Sequence, residues 1–267
     1  MIKIQPAASN FSQLDDAPAD GCGACGTTER LGFQFDYAYQ PIVDVVSRST
    51  LAHEALVRGP AGEGAPSVLS QVTEQNRYRF DQACRVKAIK TAAQLGMTDR
   101  LSINFLPNAV YKPEVCIRTT LEAARVHGFP IDHIMFEVTE GERVEDGPWL
   151  ATILREYKRF GFLTAIDDFG AGYAGLTLLA DFTPDFIKLD MALVRSVEAS
   201  KSRQAIARGM VRICQELGVQ VIAEGVETAA ERDFFMGEGV TLMQGYFFAK
   251  PMFRAIPSAA SAAWPQR

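Results

Sequence analysis

Eight short apolar runs, most of them separated by stretches of helical periodicity, set the architecture open to this chain. They are FQFDYAYQPIV (33–43), TLAHEALVR (50–58), LSIN (101–104), HIMFE (133–137), LTAID (163–167), DFIK (185–188), VQVIAE (219–224) and TLMQ (241–244). Apolar runs of this length between helices read as strands of a largely parallel sheet. The helices are clearest where they are long. Leu150, Ile153, Leu154, Tyr157 and Phe160 recur at helical spacing, as do Ile206, Met210, Ile213, Cys214 and Leu217. Only a few residues join the first two runs, the spacing of a hairpin rather than a helical crossover. The count predicts an α/β fold, a TIM-like (β/α)8 barrel whose first two strands depart from the regular alternation. A doubly wound open sheet is the alternative, but no GxGxxG or Walker-type loop follows any run.

The chemistry lies in how these runs end. LSIN ends in Asn104, IMFE in Glu137, TAIDD in Asp167 and Asp168, FIK in Lys188, VIAE in Glu224 and LMQ in Gln244. The second run carries Glu54 and Arg58 four residues apart, which puts both on one face of a strand. In a parallel barrel the C-terminal strand ends share one rim, where catalytic residues sit. One polar strand end marks only the start of a loop; a series of them converges on a single mouth. Clustered carboxylates repel without a cation between them. Oxygen donors with no neighbouring His or Cys suit Mg²⁺ or Mn²⁺ rather than zinc. The adjacent Asp167 and Asp168 allow one to bridge two ions while the other binds one, the arrangement used to activate water at a phosphoryl centre. The spacing predicts a metal-dependent phosphoester hydrolase.

Charge limits the substrate. The chain has 27 Lys and Arg against 32 Asp and Glu, a formal charge of −5, which excludes bulk affinity for a long nucleic-acid backbone. Assigning six acidic residues (Glu54, Glu137, Asp167, Asp168, Asp190 and Glu224) to the mouth leaves 26 acidic against 27 basic residues elsewhere. An anionic nucleotide therefore remains acceptable once cations are bound. No apolar run approaches the ~18 residues of a membrane span, and MIKIQPAASNF lacks the apolar stretch of a signal peptide. A cytoplasmic location with reduced thiols is expected.

Eight segments together resemble the EAL domain, the cyclic di-GMP phosphodiesterase family, in stand-alone form. They are YQPIV (39–43), EALVR (54–58), INFLP (103–107), FEVTE (136–140), DDFGAGYAGL (167–176), PDFIKLD (184–190), IAEGVET (222–228) and QGYFFAKP (244–251). The resemblance implies hydrolysis of cyclic di-GMP to linear pGpG with two Mg²⁺ or Mn²⁺ ions, in a barrel whose first strand is antiparallel. Calcium, with looser coordination, is expected to inhibit. By resemblance Glu54, Asn104, Glu137 and Asp167 hold the first metal, and Asp167 bridges to a second held also by Asp168. Glu224 is either a ligand of the second metal or a general base. Lys188 holds the attacking water or steadies the developing phosphate charge, with Asp190 on the same strand face as its partner or that of a metal-bound water. Gln40 and Arg58 contact the dinucleotide, and Gln244 and Glu227 line the same mouth. Gly170 and Gly172 lie in a loop that couples metal binding to dimerisation, braced by Glu140. The ligand set carries no substitution, which favours an enzyme over a non-catalytic cyclic di-GMP receptor signalling through a partner, or a scaffold that binds no nucleotide. A homodimer is expected, with regulation through oligomerisation, the N-terminal tail or a separate protein.

Residues 1–30 read as a flexible tail holding Cys22 and Cys25, a CxxC without the second half of a zinc site. Residues 31–254 form the barrel domain, and 255–267 read as a frayed end. Cys84, Cys116 and Cys214 are expected in helices or core, His53 outside the barrel interior, and Phe234-Phe235-Met236 as a core anchor.

Overall fold

The computed structural model describes residues 31–139, 147–171, 175–260 and 263–265. The chain opens with a hairpin, β1 (Asp36–Asp44) against β2 (Ser49–Arg58). Asp44 closes its turn by accepting the amides of Val46 and Ser47 through Oδ1, the local bond by which Asp favours turns. Six further strands follow: β3 (Arg100–Asn104), β4 (Ile134–Thr139), β5 (Leu163–Phe169), β6 (Phe186–Leu189), β7 (Gln220–Ala223) and β8 (Leu242–Met243). β2 through β8 are parallel, each paired with the next. β1 closes the ring, running antiparallel to both β2 and β8. This is the expected (β/α)8-like barrel with a reversed first strand.

The principal outer helices are α2 (Arg77–Gln94) before β3, α4 (Arg118–His127) before β4, α5 (Gly147–Arg159) before β5, α6 (Gly175–Asp181) before β6, α8 (Lys201–Leu217) before β7 and α9 (Ala229–Gly237) before β8. Short turns α1 (Ala65–Leu69), α3 (Pro113–Cys116) and α7 (Met191–Val194) supplement them. Local chemistry sets their ends. Ser200 caps α8 by accepting the Arg203 amide, and Gly218 ends it at φ +69°. Thr228 and Glu231 form a reciprocal capping box on α9. No helix among the described residues is long and apolar enough to cross a membrane.

Strand alternation then builds the site. Ile42, Ala52, Met135, Ala165, Phe186, Ile222 and Leu242 form a separate apolar cluster plugging the barrel interior, each buried side chain contributing about 1–3 kcal/mol according to its size. Two residues on, side chains return to the interior one layer higher. Those positions are Glu54, Glu137, Asp167, Lys188, Glu224 and Gln244. Asn104 stands two beyond the buried Ser102, and on reversed β1 the matching residue, Gln40, precedes Ile42 by two. A dry plug therefore floors a layer of polar residues.

Two expectations need correction. Residues 255–267 were expected to fray, but the described part is packed. Just before that segment a ninth strand, β9 (Met252–Phe253), pairs with β1 at Ala38 and Tyr39, along the edge that β8 uses at Val43 and Asp44. Ala263 is buried and accepts a hydrogen bond from Arg232 Nη1 through its carbonyl, at 2.8 Å. Trp264 lies beside Phe248, and the Pro257 carbonyl meets His53 Nε2 at 3.2 Å. Backbone groups hold much of this segment, so Ala, Ser and Pro leave no periodic trace of it. In α8 the buried face is Ala207, Met210, Val211 and Cys214, whereas Ile206, Ile213 and Leu217 are exposed. Small residues pack inward there, and hydropathy alone rotated the face. The α5 set is buried as expected at Leu150, Ile153, Leu154 and Tyr157. Cys84, Cys116 and Cys214 are free and buried, His53 is buried outside the interior plug, and Phe235 anchors the core. Cys22 and Cys25 lie outside the described residues.

Candidate active site

Lys188 rises from β6 into the centre of the polar layer and is fully buried. Its Nζ lies 2.7 Å from Glu224 Oε1, 2.9 Å from Glu137 Oε2, 3.1 Å from Asp167 Oδ1 and 3.5 Å from Glu54 Oε2. Burial opposes the ammonium charge, but Asp167, Glu137, Glu224 and Glu54 outweigh it and hold the lysine firmly protonated. One cation does not balance four carboxylates. Burial, reinforced by neighbouring acids and only partly offset by Lys188, raises the carboxyls of Glu137 and Glu224 above their ordinary range. Asp168 is pushed up to about 6 by burial, then by Asp167 and Asp190.

The carboxylates fall into two groups that share a member. Glu54, Glu137 and Asp167 offer oxygens within 4.8 Å of one another, and so do Asp167, Asp168 and Glu224. Consecutive strand residues ordinarily face opposite sides. Here the β5–β6 register is irregular between Ile166 and Phe169, and Asp168 takes φ +52°, a left-handed conformation that Asp tolerates better than most residues. That distortion brings both aspartates to the mouth.

A divalent pair fits these residues. Every charged donor is a hard oxygen, and Glu137 Oε1 is buried with no hydrogen-bond partner, as is Gln244 Oε1. Such atoms are costly unless satisfied. Asn104 joins from the rim, its amide nitrogen 3.0 Å from Glu54 Oε1. Gln244 Nε2 holds Glu54 Oε2 at 2.9 Å, and Gln40 is anchored to the Ala249 carbonyl.

The mouth is a cavity of about 290 Å³ lined by Gln40, Glu54, Asp168, Asp190, Glu224, Glu227 and Gln244, with Met191, Arg195 and Tyr246. Asp190 differs from expectation. β6 ends at Leu189, and Asp190 caps α7 by accepting the Ala192 amide rather than pairing with Lys188. Arg58 lies apart, on a neighbouring, mostly apolar cavity of about 310 Å³ that Asn104 also borders. Gly170 suits its place because its backbone takes φ +99°, a conformation that residues with a β-carbon rarely adopt. Glu140 and Gly172 lie outside the described residues. Sequence reasoning missed Arg195, which pairs with Glu227 across the mouth; a basic residue on a surface-like turn carries no signal of its own.

A (β/α) barrel with two linked carboxylate groups at its C-terminal rim defines the class. The EAL domain model matches residues 30–251, and the chain belongs to the EAL domain family. It is 32% identical over 265 residues to the blue light- and temperature-regulated antirepressor BluF of Escherichia coli K12, covering 98% of this chain and 64% of BluF. It is 33% identical over 174 residues to the cyclic di-GMP phosphodiesterase PdeR of the same organism, covering 64% of this chain and 25% of PdeR. The chain thus spans under two thirds of either relative. A stand-alone EAL protein from Vibrio cholerae O395, solved in a c-di-GMP-bound form, is 54% identical with TM-score 0.84, covering 86% of this chain and 98% of that one. Klebsiella pneumoniae BlrP1, solved with manganese and cyclic di-GMP, is 35% identical with TM-score 0.79, covering 84% of this chain and 58% of that one.

Proposed function

We propose that the chain hydrolyses cyclic di-GMP to linear pGpG using two Mg²⁺ or Mn²⁺ ions. The observation that carries this reading is the pair of carboxylate groups joined through Asp167, supported by similarity to a phosphodiesterase and to structures holding the dinucleotide. Glu54, Asn104, Glu137 and Asp167 would hold one ion, and Asp167, Asp168 and Glu224 the other. Bound there, the ions would supply Lewis acidity and a nucleophilic water at neutral pH.

The remaining work falls to the protein. Water adds to one phosphorus, the bond to the 3′ oxygen breaks, and the product keeps a 5′ phosphate and gains a 3′ hydroxyl. Lys188 fixes the carboxylates and either holds the attacking water or steadies charge developing on the phosphoryl oxygens. Glu224 either completes the second ion's ligands or accepts the water's proton. Gln40 and Gln244 orient the dinucleotide and Glu54, Asp190 and Glu227 line its path, while Arg58 would meet a phosphate only from the adjoining cavity that it borders with Asn104. Calcium would support binding but misplace the nucleophile.

A second reading has its own support, because BluF is named an antirepressor: the chain would bind cyclic di-GMP and signal to a protein partner without turnover. Incubating purified protein with cyclic di-GMP and Mg²⁺ or Mn²⁺, with chromatographic detection of pGpG, separates the two. Product formation supports hydrolysis; tight binding without product supports the receptor.

A further inference from the structure

Outside the mouth, α2 buries an ion pair among largely apolar side chains, with Gln82 Nε2 donating to Asp81 Oδ2 at 3.2 Å. Asp81 is 1% exposed and Arg85 is fully buried, with Asp81 Oδ2 2.8 Å from Arg85 Nη2. Arg85 Nη1 donates to the Tyr157 hydroxyl at 2.7 Å, and its guanidinium lies over the rings of Phe105, Phe136 and Tyr157 at 5.5, 4.9 and 5.3 Å. A buried pair of this kind is a poor source of stability, since apolar side chains of equal volume often do as well or better. What it touches explains its presence. Asp81 Oδ1 accepts the amide of Leu106 at 2.9 Å, two residues after Asn104. Phe105 follows Asn104 directly, and its amide donates to the Glu137 carbonyl at 3.0 Å. Phe136 directly precedes Glu137. The pair therefore grips the backbone beside two of the residues assigned to the first ion, from the opposite side of the strands.

We infer that Asp81 and Arg85 are positioning residues that fix the ends of β3 and β4, and so set how tightly the Glu54–Asn104–Glu137–Asp167 group takes a divalent cation. This rests on the metal-binding reading above. Supporting groups behind ligands commonly change metal affinity or activity by about 10- to 100-fold.

The test compares Asp81→Ala with Asp81→Asn in the full chain. Both lose the charge opposite Arg85 and both lower Tm, but only Asp81→Asn keeps an oxygen acceptor for the Leu106 amide. Two readouts follow, both well below Tm: amide hydrogen exchange at Phe105 and Leu106 in chelator, and Mn²⁺ affinity by calorimetry without substrate. Asp81→Ala is expected to speed exchange at Leu106 and to weaken Mn²⁺ binding about 10-fold, with Asp81→Asn close to wild type in both. Equal loss of Tm with wild-type exchange and Mn²⁺ affinity in both variants overturns the inference and leaves the pair a core element only. Wild-type protein that takes up no Mn²⁺ overturns the metal reading itself, and this inference with it. Should Asp81→Ala not fold, Arg85→Lys replaces it; loss of the flat guanidinium between Phe105, Phe136 and Tyr157 is expected to weaken Mn²⁺ binding, and unchanged affinity overturns the inference.

Discussion

The Lys188 ammonium stands 2.7 Å from Glu224 Oε1, closer than to any of the other three acids around it. Without bound metal this lysine is the main compensation for Glu54, Glu137, Asp167 and Glu224 together. Lys188→Met removes it. In chelator the variant is expected to lose about 3–5 kcal/mol of stability, the usual cost of leaving buried charge unpaired. Added Mn²⁺ should then raise its Tm by more than it raises that of wild type, because the ion replaces the missing charge. Thermal scans with and without Mn²⁺ decide it, and equal shifts would count against a shared site.

Asp167 and Asp168 are neighbours with different roles. Asp167 belongs to both carboxylate groups and Asp168 to one. Asp168→Asn is expected to lower calorimetric Mn²⁺ stoichiometry by one ion, while Asp167→Asn weakens both sites and abolishes turnover. Wild-type stoichiometry in both variants would refute the bridging assignment.

Protons compete with cations in this layer. The Asp168 carboxyl, raised to about 6, holds its proton below that pH, and ligation requires the carboxylate. Mn²⁺ affinity should therefore fall as pH drops through about 6, with proton release on binding. The linkage for folding has the opposite sign. A raised carboxyl binds more protons folded than unfolded, so its contribution to metal-free stability is present at low pH and lost as pH rises through about 6. Calorimetry in two buffers of different ionisation heat tests proton release; identical heats at pH 6 would contradict it.

Arg232 secures the far end of the chain. It donates to the Ala263 carbonyl at 2.8 Å and stacks over Phe247 at 5.4 Å. Arg232→Ala is expected to lose about 1.5–3 kcal/mol, the range for a hydrogen bond to a charged group, and to speed proteolysis around Ala263. Resistance equal to wild type would mean that other contacts hold the segment.

Much of the site was readable because alternation is strict. Once the short runs were recognised, the residues at their ends fell on one rim, and Glu54, Glu137, Asp167, Lys188 and Glu224 meet there. The expected pairing of Asp190 with Lys188 does not form, because strand periodicity stops at Leu189 and the backbone turns into α7, although Asp190 still lines the mouth. Strand reasoning alone does not bring both Asp167 and Asp168 inward; the irregular β5 register does. Asp81 and Arg85 left a faint mark, an acid and a base four apart on a helix, but that spacing is commonest on wet surfaces. The C-terminal segment was invisible, because much of what fixes it is backbone bonded to distant groups.

The reversed first strand also sets a schedule. β1 finds one partner in β2 at once, but its other edge waits for Met243 and Phe253. At about 5–20 residues per second, a ribosome needs on the order of 10–40 s to make the intervening 200 or so residues. Throughout that interval the nascent hairpin carries an open strand edge rich in Tyr, Ile and Val, the kind of surface that pairs with other chains. The ring, and with it the acidic mouth, closes only once β8 and β9 have been made.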